Sequence, residues 1–204
     1  MRAAALLTSV LVIVGLCAAP ALARGKKSVT APGKYSEWND EIDELEVVST
    51  FAAADYEKIV VEQFDGSDTE LPEKDDNTYL PVKQVLGDTA TPFVMGYLEA
   101  DGRRLDASVA SGGSPGPKTL LVRGKVLEMN PGSQAARYWG GFGAGAAGVK
   151  LSGEVVDAES GKVLLRFTQE RRSGVGLAGG DYSDLLNRNL RAIGEDLAFI
   201  LQAF

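Results

Sequence analysis

Histidine is absent from this chain of 204 residues, and cysteine occurs once, at Cys17. Without imidazole the chain has no side chain that ordinarily titrates near neutrality, which removes the usual general base and the commonest metal ligand. One cysteine allows no internal disulfide and no thiolate-rich zinc site. Aromatic residues make up only 7% of the chain, and no basic stripe interleaved with them is present. With a formal charge of −7 and a pI near 4.8, the composition argues against a protein that tracks nucleic-acid phosphates. No nucleic-acid partner is expected.

The amino terminus carries the clearest targeting signal. Met1-Arg2 is followed by an apolar run from Ala3 to Leu16, and Cys17 to Ala23 supplies small residues around Pro20. This is the pattern of a secretory signal peptide, with cleavage expected after Ala23. Removal of residues 1–23 takes away Arg2 and Cys17, leaving a mature chain with neither thiol nor imidazole. Two alternatives stay open: lipidation at Cys17, against which the bulky Leu16 argues, and retention as an uncleaved anchor, which Arg24, Lys26 and Lys27 just beyond the run would favour. The expected destination is the periplasm, in soluble form or associated with the outer membrane.

The next segment, 24–55, reads as a polar, loosely ordered lead-in containing the acidic stretch Asp40 to Glu46. Residues 56–204 then form one domain. Lys58 to Phe64 is a β-branched run expected to be a buried strand. Val82, Val85, Leu86, Thr89, Phe93, Val94, Tyr97 and Leu98 recur at helical spacing, with Pro92 expected to kink or divide that helix. Leu105, Ala107 and Val109 alternate weakly. Leu120, Val122, Gly124 and Val126 alternate with Arg123 and Lys125, and Val149, Leu151, Gly153 and Val155 repeat the pattern. Asp157 to Lys162 is a turn leading into Val163, Leu165 and Phe167, hence a β-hairpin. From Tyr182 to Phe204, apolar residues at three- and four-residue steps predict an amphipathic helix capped by Asp181. The predicted fold is α+β (mixed α/β): a mixed sheet of about four or five strands with two main helices packed on it.

Motifs that carry chemistry are few. Gly143-Ala-Gly145-Ala-Ala-Gly148 matches a dinucleotide fingerprint formally, but it leads into a strand rather than opening a helix, and no cofactor is expected from it. Asp157 with Glu159, or Glu154 with Glu170, offers paired carboxylates, although charges around hairpins are usually solvated. The acidic loop Asp65 to Asp76 lacks the spaced ligand pattern of a calcium loop, and no metal site is expected. The segment from Ser133 to Gly148 combines glycine with Arg137, Tyr138, Trp139 and Phe142. Its plain reading is a connection packed on the sheet; its functional reading is a contact surface in which a cation and three aromatics meet a partner.

Val122-Arg123-Gly124-Lys125-Val126, Pro131-Gly132-Ser133, Gly141-Phe142-Gly143-Ala144-Gly145 and the run Val155 to Val163 together resemble the bacterial exported domain-of-unknown-function family four-four-one-zero. The resemblance runs from about Tyr56 to the carboxyl terminus. It implies a small secreted or lipid-anchored envelope protein and no established activity, cofactor or catalytic residue. A more distant architectural similarity is to the N-terminal domain of TolB and to curli-secretion and penicillin-binding-protein-activator lipoproteins, domains that contact other envelope proteins. The resulting expectation is a non-enzymatic periplasmic or outer-membrane-associated accessory protein that binds an envelope partner through Arg137, Tyr138, Trp139 and Phe142. Peripheral membrane association is compatible with it, and its oligomeric state is open. The alternatives are a small-ligand or glycan-binding hydrolytic protein using carboxylates, and a structural subunit of an envelope complex.

Overall fold

Three long strands in which apolar and polar residues largely alternate organise the molecule, described from a computed structural model that covers residues 29–101, 104–132, 145–173 and 181–204. They are β5 (Thr119–Asn130), β6 (Ala147–Asp157) and β7 (Val163–Ser173), joined antiparallel in sequence order. The predicted turn between β6 and β7 forms as expected. Gly161 takes a φ of +72°, and Asp157 accepts from the Glu159, Ser160 and, through its backbone oxygen, Gly161 amides.

On one side of β5 lie β3 (Lys58–Val61) and β4 (Asp106–Val109), both parallel to their neighbours; on the far side of β7 lie β2 (Ile42–Val47) and β1 (Gly33–Trp38), both antiparallel. The sheet order is β1-β2-β7-β6-β5-β3-β4. Parallel strands need a crossover. Between β3 and β4 it is provided by α1 (Tyr79–Gly87) and α2 (Ala90–Asp101). The chain closes with α3 (Tyr182–Gln202), whose Asp181 N-cap side chain accepts from the Ser183 amide.

The α+β class is as expected, but its detail is larger than the pattern predicts. Seven strands and three α-helices stand among the described residues, against four or five strands and two helices expected. Two of the additional strands lie within 33–47, in the segment expected to be a loose lead-in. Their period is masked: in β2 only Ile42, Leu45 and Val47 are buried, and acidic residues fill the other positions. The third helix comes from the division of the 82–98 pattern. That division falls at Asp88-Thr89, before Pro92, which sits in the first turn of α2 where its missing amide costs nothing. The break is held from outside the helices. Gln63 Oε1 accepts from the Thr89 and Ala90 amides at 3.2 and 3.3 Å, and Asp88 accepts from the Thr91 amide at 3.1 Å.

One face of the sheet is closed by the helices. Val122, Val126, Val149, Leu151, Val155, Leu165 and Phe167 are all buried there, beneath Leu186, Leu190, Ile193 and Leu197 of α3. Helices α2 and α3 cross in backbone contact at Gly96 and Gly194. A Cβ added at Gly194 would lie 2.0 Å from the Phe93 carbonyl oxygen, and one at Gly96 would lie 2.0 Å from that of Arg191. A buried polar cluster also pins α3 to β7. Asp196 accepts from Arg171 Nε at 2.7 Å and from Gln169 Nε2 at 2.8 Å, and Gln169 in turn bonds the backbone of Glu41 and Asp43 in the β1–β2 turn region.

Candidate functional site

Among the described residues no helix packs on the opposite face of the sheet. Period two places Arg123, Lys125, Glu154, Ser152, Arg166 and Thr168 there, because their neighbours are committed to the core. Register then aligns them. Lys34, Glu46, Arg166, Glu154 and Arg123 occupy paired positions on β1, β2, β7, β6 and β5, so charges alternate in sign across five consecutive strands. Adjacent members contact one another at 3.8, 3.3, 2.8 and 3.3 Å in that order. The next row on the same face runs Ser36, Glu44, Thr168, Ser152 and Lys125. Both rows line a shallow groove of about 880 Å³.

The electrostatics of this groove favour fixed charges. Hydrogen bonding from Arg166, with Arg123 adding to it, holds the Glu154 carboxyl below its ordinary range against the opposing effect of its partial burial. The same bond raises Arg166. Asp65, at the groove edge, is lowered by bonds from Ser67. These carboxylates are stabilised as anions, the opposite of what proton donation near neutrality requires.

Of the carboxylates singled out in the sequence, Glu154, Glu170 and Asp157 are each engaged by other partners. Glu154 is engaged by two arginines, whereas Glu170 pairs with Arg172. Asp157 organises its turn and accepts from the Tyr56 hydroxyl at 2.9 Å, and its carboxyl is lowered chiefly by the Ser160 bonds. Burial, followed by that contact with Asp157, pushes the Tyr56 phenol up. In the acidic loop, Asp65 and Asp76 bond the Ser67 and Thr78 amides two residues on. Among the described residues no group of three or more acidic or sulfur ligands is gathered for a metal ion.

Arg137, Tyr138, Trp139 and Phe142 lie outside the described residues. Gly132 takes φ +77°, and a Cβ on it would meet the Gly145 carbonyl oxygen at 2.3 Å, so the chain leaves and returns at one point between the ends of β5 and β6. Beside that point Leu71 and Leu127 are 40% and 44% exposed and line a small groove with Pro72 and Pro131. A further groove of about 790 Å³ runs between the helices, where Arg191 pairs with Glu99.

The cross-sheet ladder was not found by sequence reasoning. Its signal was present as the polar half of each alternating strand, but two of its five members sit in the segment read as a lead-in, and pairing register has no local signature.

A single mixed sheet, closed by helices on one face and bearing aligned charges on the other, defines a two-layer α+β domain. The chain belongs to the family described as Domain of unknown function (DUF4410), which matches residues 59–177. No curated protein matches it. Solved structures similar to it include the PelC dodecamer from Paraburkholderia phytofirmans, at 17% identity over 76% of this chain and 96% of that one, with a TM-score of 0.46. A Xanthomonas campestris protein of the DUF330 family matches at 11% identity over 72% of this chain and 85% of that one, with a TM-score of 0.37. A neuraminyllactose-binding hemagglutinin homolog from Helicobacter pylori matches at 11% identity over 76% and 89%, with a TM-score of 0.29.

Proposed function

We propose that this protein is a non-enzymatic accessory protein of the bacterial cell envelope, exported through its amino-terminal signal, that works by binding another envelope protein. The observation that carries the reading is the sheet face opposite the helices. Its charges are locked in an alternating ladder, and its carboxylates Glu154 and Asp65 are held ionised by arginine or by serine donors, an arrangement that suits recognition rather than proton transfer. The segment bearing Arg137, Tyr138, Trp139 and Phe142, which connects β5 to β6 in the chain, supplies the second part of the contact, since its aromatic content is that of an interface anchor. Mature protein begins at Arg24.

Cross-linking in intact cells, followed by mass spectrometry of the purified envelope fraction, tests both parts. The expected result is one specific envelope protein attached to a chain whose amino terminus is Arg24. Alanine replacement of Tyr138, Trp139 and Phe142 together should abolish that capture while the circular dichroism spectrum stays unchanged. Undiminished capture by this folded variant would remove the segment from the interface, and absence of any attached protein would favour a small-molecule or glycan ligand.

A further inference from the structure

The two edges of the sheet are built differently. At β1 the edge follows Pro32, carries the ammonium of Lys34 at 82% exposure, and is bent by Glu37 at φ +48°. Residues 29–31 also fold back on it, with Trp38 Nε1 donating to the Val29 carbonyl and the Tyr35 hydroxyl to that of Ala31. These are the devices by which sheets discourage further strand pairing. The β4 edge has no proline, lysine or bulge, and what limits pairing there is its length of four residues and the charge of Asp106 at its start. It reads Asp106-Ala107-Ser108-Val109, and all of these except the half-buried Ala107 are exposed.

The outward hydrogen-bonding groups of β4 follow from its inward ones. Asp106 donates its amide to the Glu57 carbonyl and Ala110 to that of Val61, so residues 106, 108 and 110 face β3. Strand alternation then turns the amides and carbonyls of Ala107 and Val109 away from the sheet. Among the described residues β4 pairs only with β3.

We propose that this edge is a self-association site, at which β4 of a second copy adds antiparallel about a two-fold axis through Ser108. Complementarity of the edge to itself selects a second copy over other strands. With Ser108 on the axis, Ala107 of each copy lies opposite Val109 of the other, and the two pairs exchange four backbone hydrogen bonds. Asp106 falls opposite Ala110 and Arg104 opposite Gly112, so no like charges meet. On the helix-bearing face, Val109, 38% exposed in the monomer, is covered by its partner's Ala107. The product is one continuous sheet with the ion ladder present twice on its open face.

The axis makes the proposal sharply testable. At a non-hydrogen-bonded antiparallel pair the Cα atoms are about 4.5 Å apart, within the range a disulfide spans. In the full chain carrying Cys17→Ser, Ser108→Cys should cross-link to a species of twice the mass under mild oxidation. Asp106→Cys alone should not, whereas the double variant Asp106→Cys/Ala110→Cys should. Ser108→Lys, an exposed change that leaves the bonds to β3 intact, should weaken association about tenfold in sedimentation by placing two ammonium groups face to face. A monomer at all concentrations overturns the proposal. So does a dimer that Ser108→Lys leaves unchanged, or cross-linking of Ser108→Cys only to a different envelope protein.

Discussion

At the residue scale, the two polar assemblies respond differently to change because they differ in burial. Asp196 is 7% exposed, with its carboxylate held by Arg171 and Gln169, and removing it leaves a guanidinium without its bonded counter-charge and the Gln169 amide with the Glu41 carbonyl as its remaining acceptor. Asp196→Ala should therefore cost about 2–4 kcal/mol in urea unfolding, at the lower side of a buried pair because Arg171 keeps partial access to water. The double change Arg171→Met/Asp196→Leu should recover most of it. In the open ladder, by contrast, each contact is partly solvated and individually weak. Its effect is visible through pH. The Glu154 carboxyl is lowered in the folded state, so its contribution is present above the unfolded value near 4.5 and is lost as pH falls through the folded value. Glu154→Gln should flatten the decline of stability on acidification below about pH 4.5, read as midpoint shifts in urea titrations at several pH values. An unchanged acid limb would show that the ladder does not couple to folding.

At the element scale, glycine in a helix normally costs about 1 kcal/mol relative to alanine. The α2–α3 crossing reverses that sign. At Gly194 a methyl group would collide with the Phe93 carbonyl, so Gly194→Ala should destabilise by about 1–3 kcal/mol through forced separation of the helices. Gly87, at the end of α1, meets nothing within 4 Å, and Gly87→Ala should be stabilising by about 0.5–1 kcal/mol. Opposite shifts of the thermal midpoints of these two variants are the expected outcome. Elements with a dominant period were legible: β5 to β7 with their turn, despite register shifts at Val126/Glu128 and Val155/Val156, and α3 with its Asp181 cap. The α1–α2 break was legible only in part. Pro92 marked a discontinuity, but Gln63, from the end of β3, and Asp88 place it earlier by taking the Thr89, Ala90 and Thr91 amides.

At the scale of the whole molecule, the segment between β2 and β3 ties the outer hairpin to the rest. Val48 and Ser49 donate to the Leu164 carbonyl, Ala53 donates to that of Phe204, and Phe51 stacks on the Phe204 ring at 4.8 Å while meeting Tyr56 edge-on. Phe51→Ala should lower overall stability by about 1–3 kcal/mol with a single transition retained. A separate early transition in the tryptophan fluorescence of a Trp139→Phe variant, in which Trp38 of the hairpin is the remaining tryptophan, would show that β1 and β2 fold as an independent unit. The amino-acid sequence by itself determined the α+β class, the three long strands, the closing helix and the family, because alternation, capping and motif content are local properties of the chain. Only tertiary structure decided that Lys34 and Glu46 join Arg166, Glu154 and Arg123, that the hairpin 33–47 enters the sheet, and that one edge is guarded while the other is open. Register and strand order arise from contacts between separate segments, 120 positions apart for Glu46 and Arg166, and nothing within either partner segment specifies which neighbour it will meet.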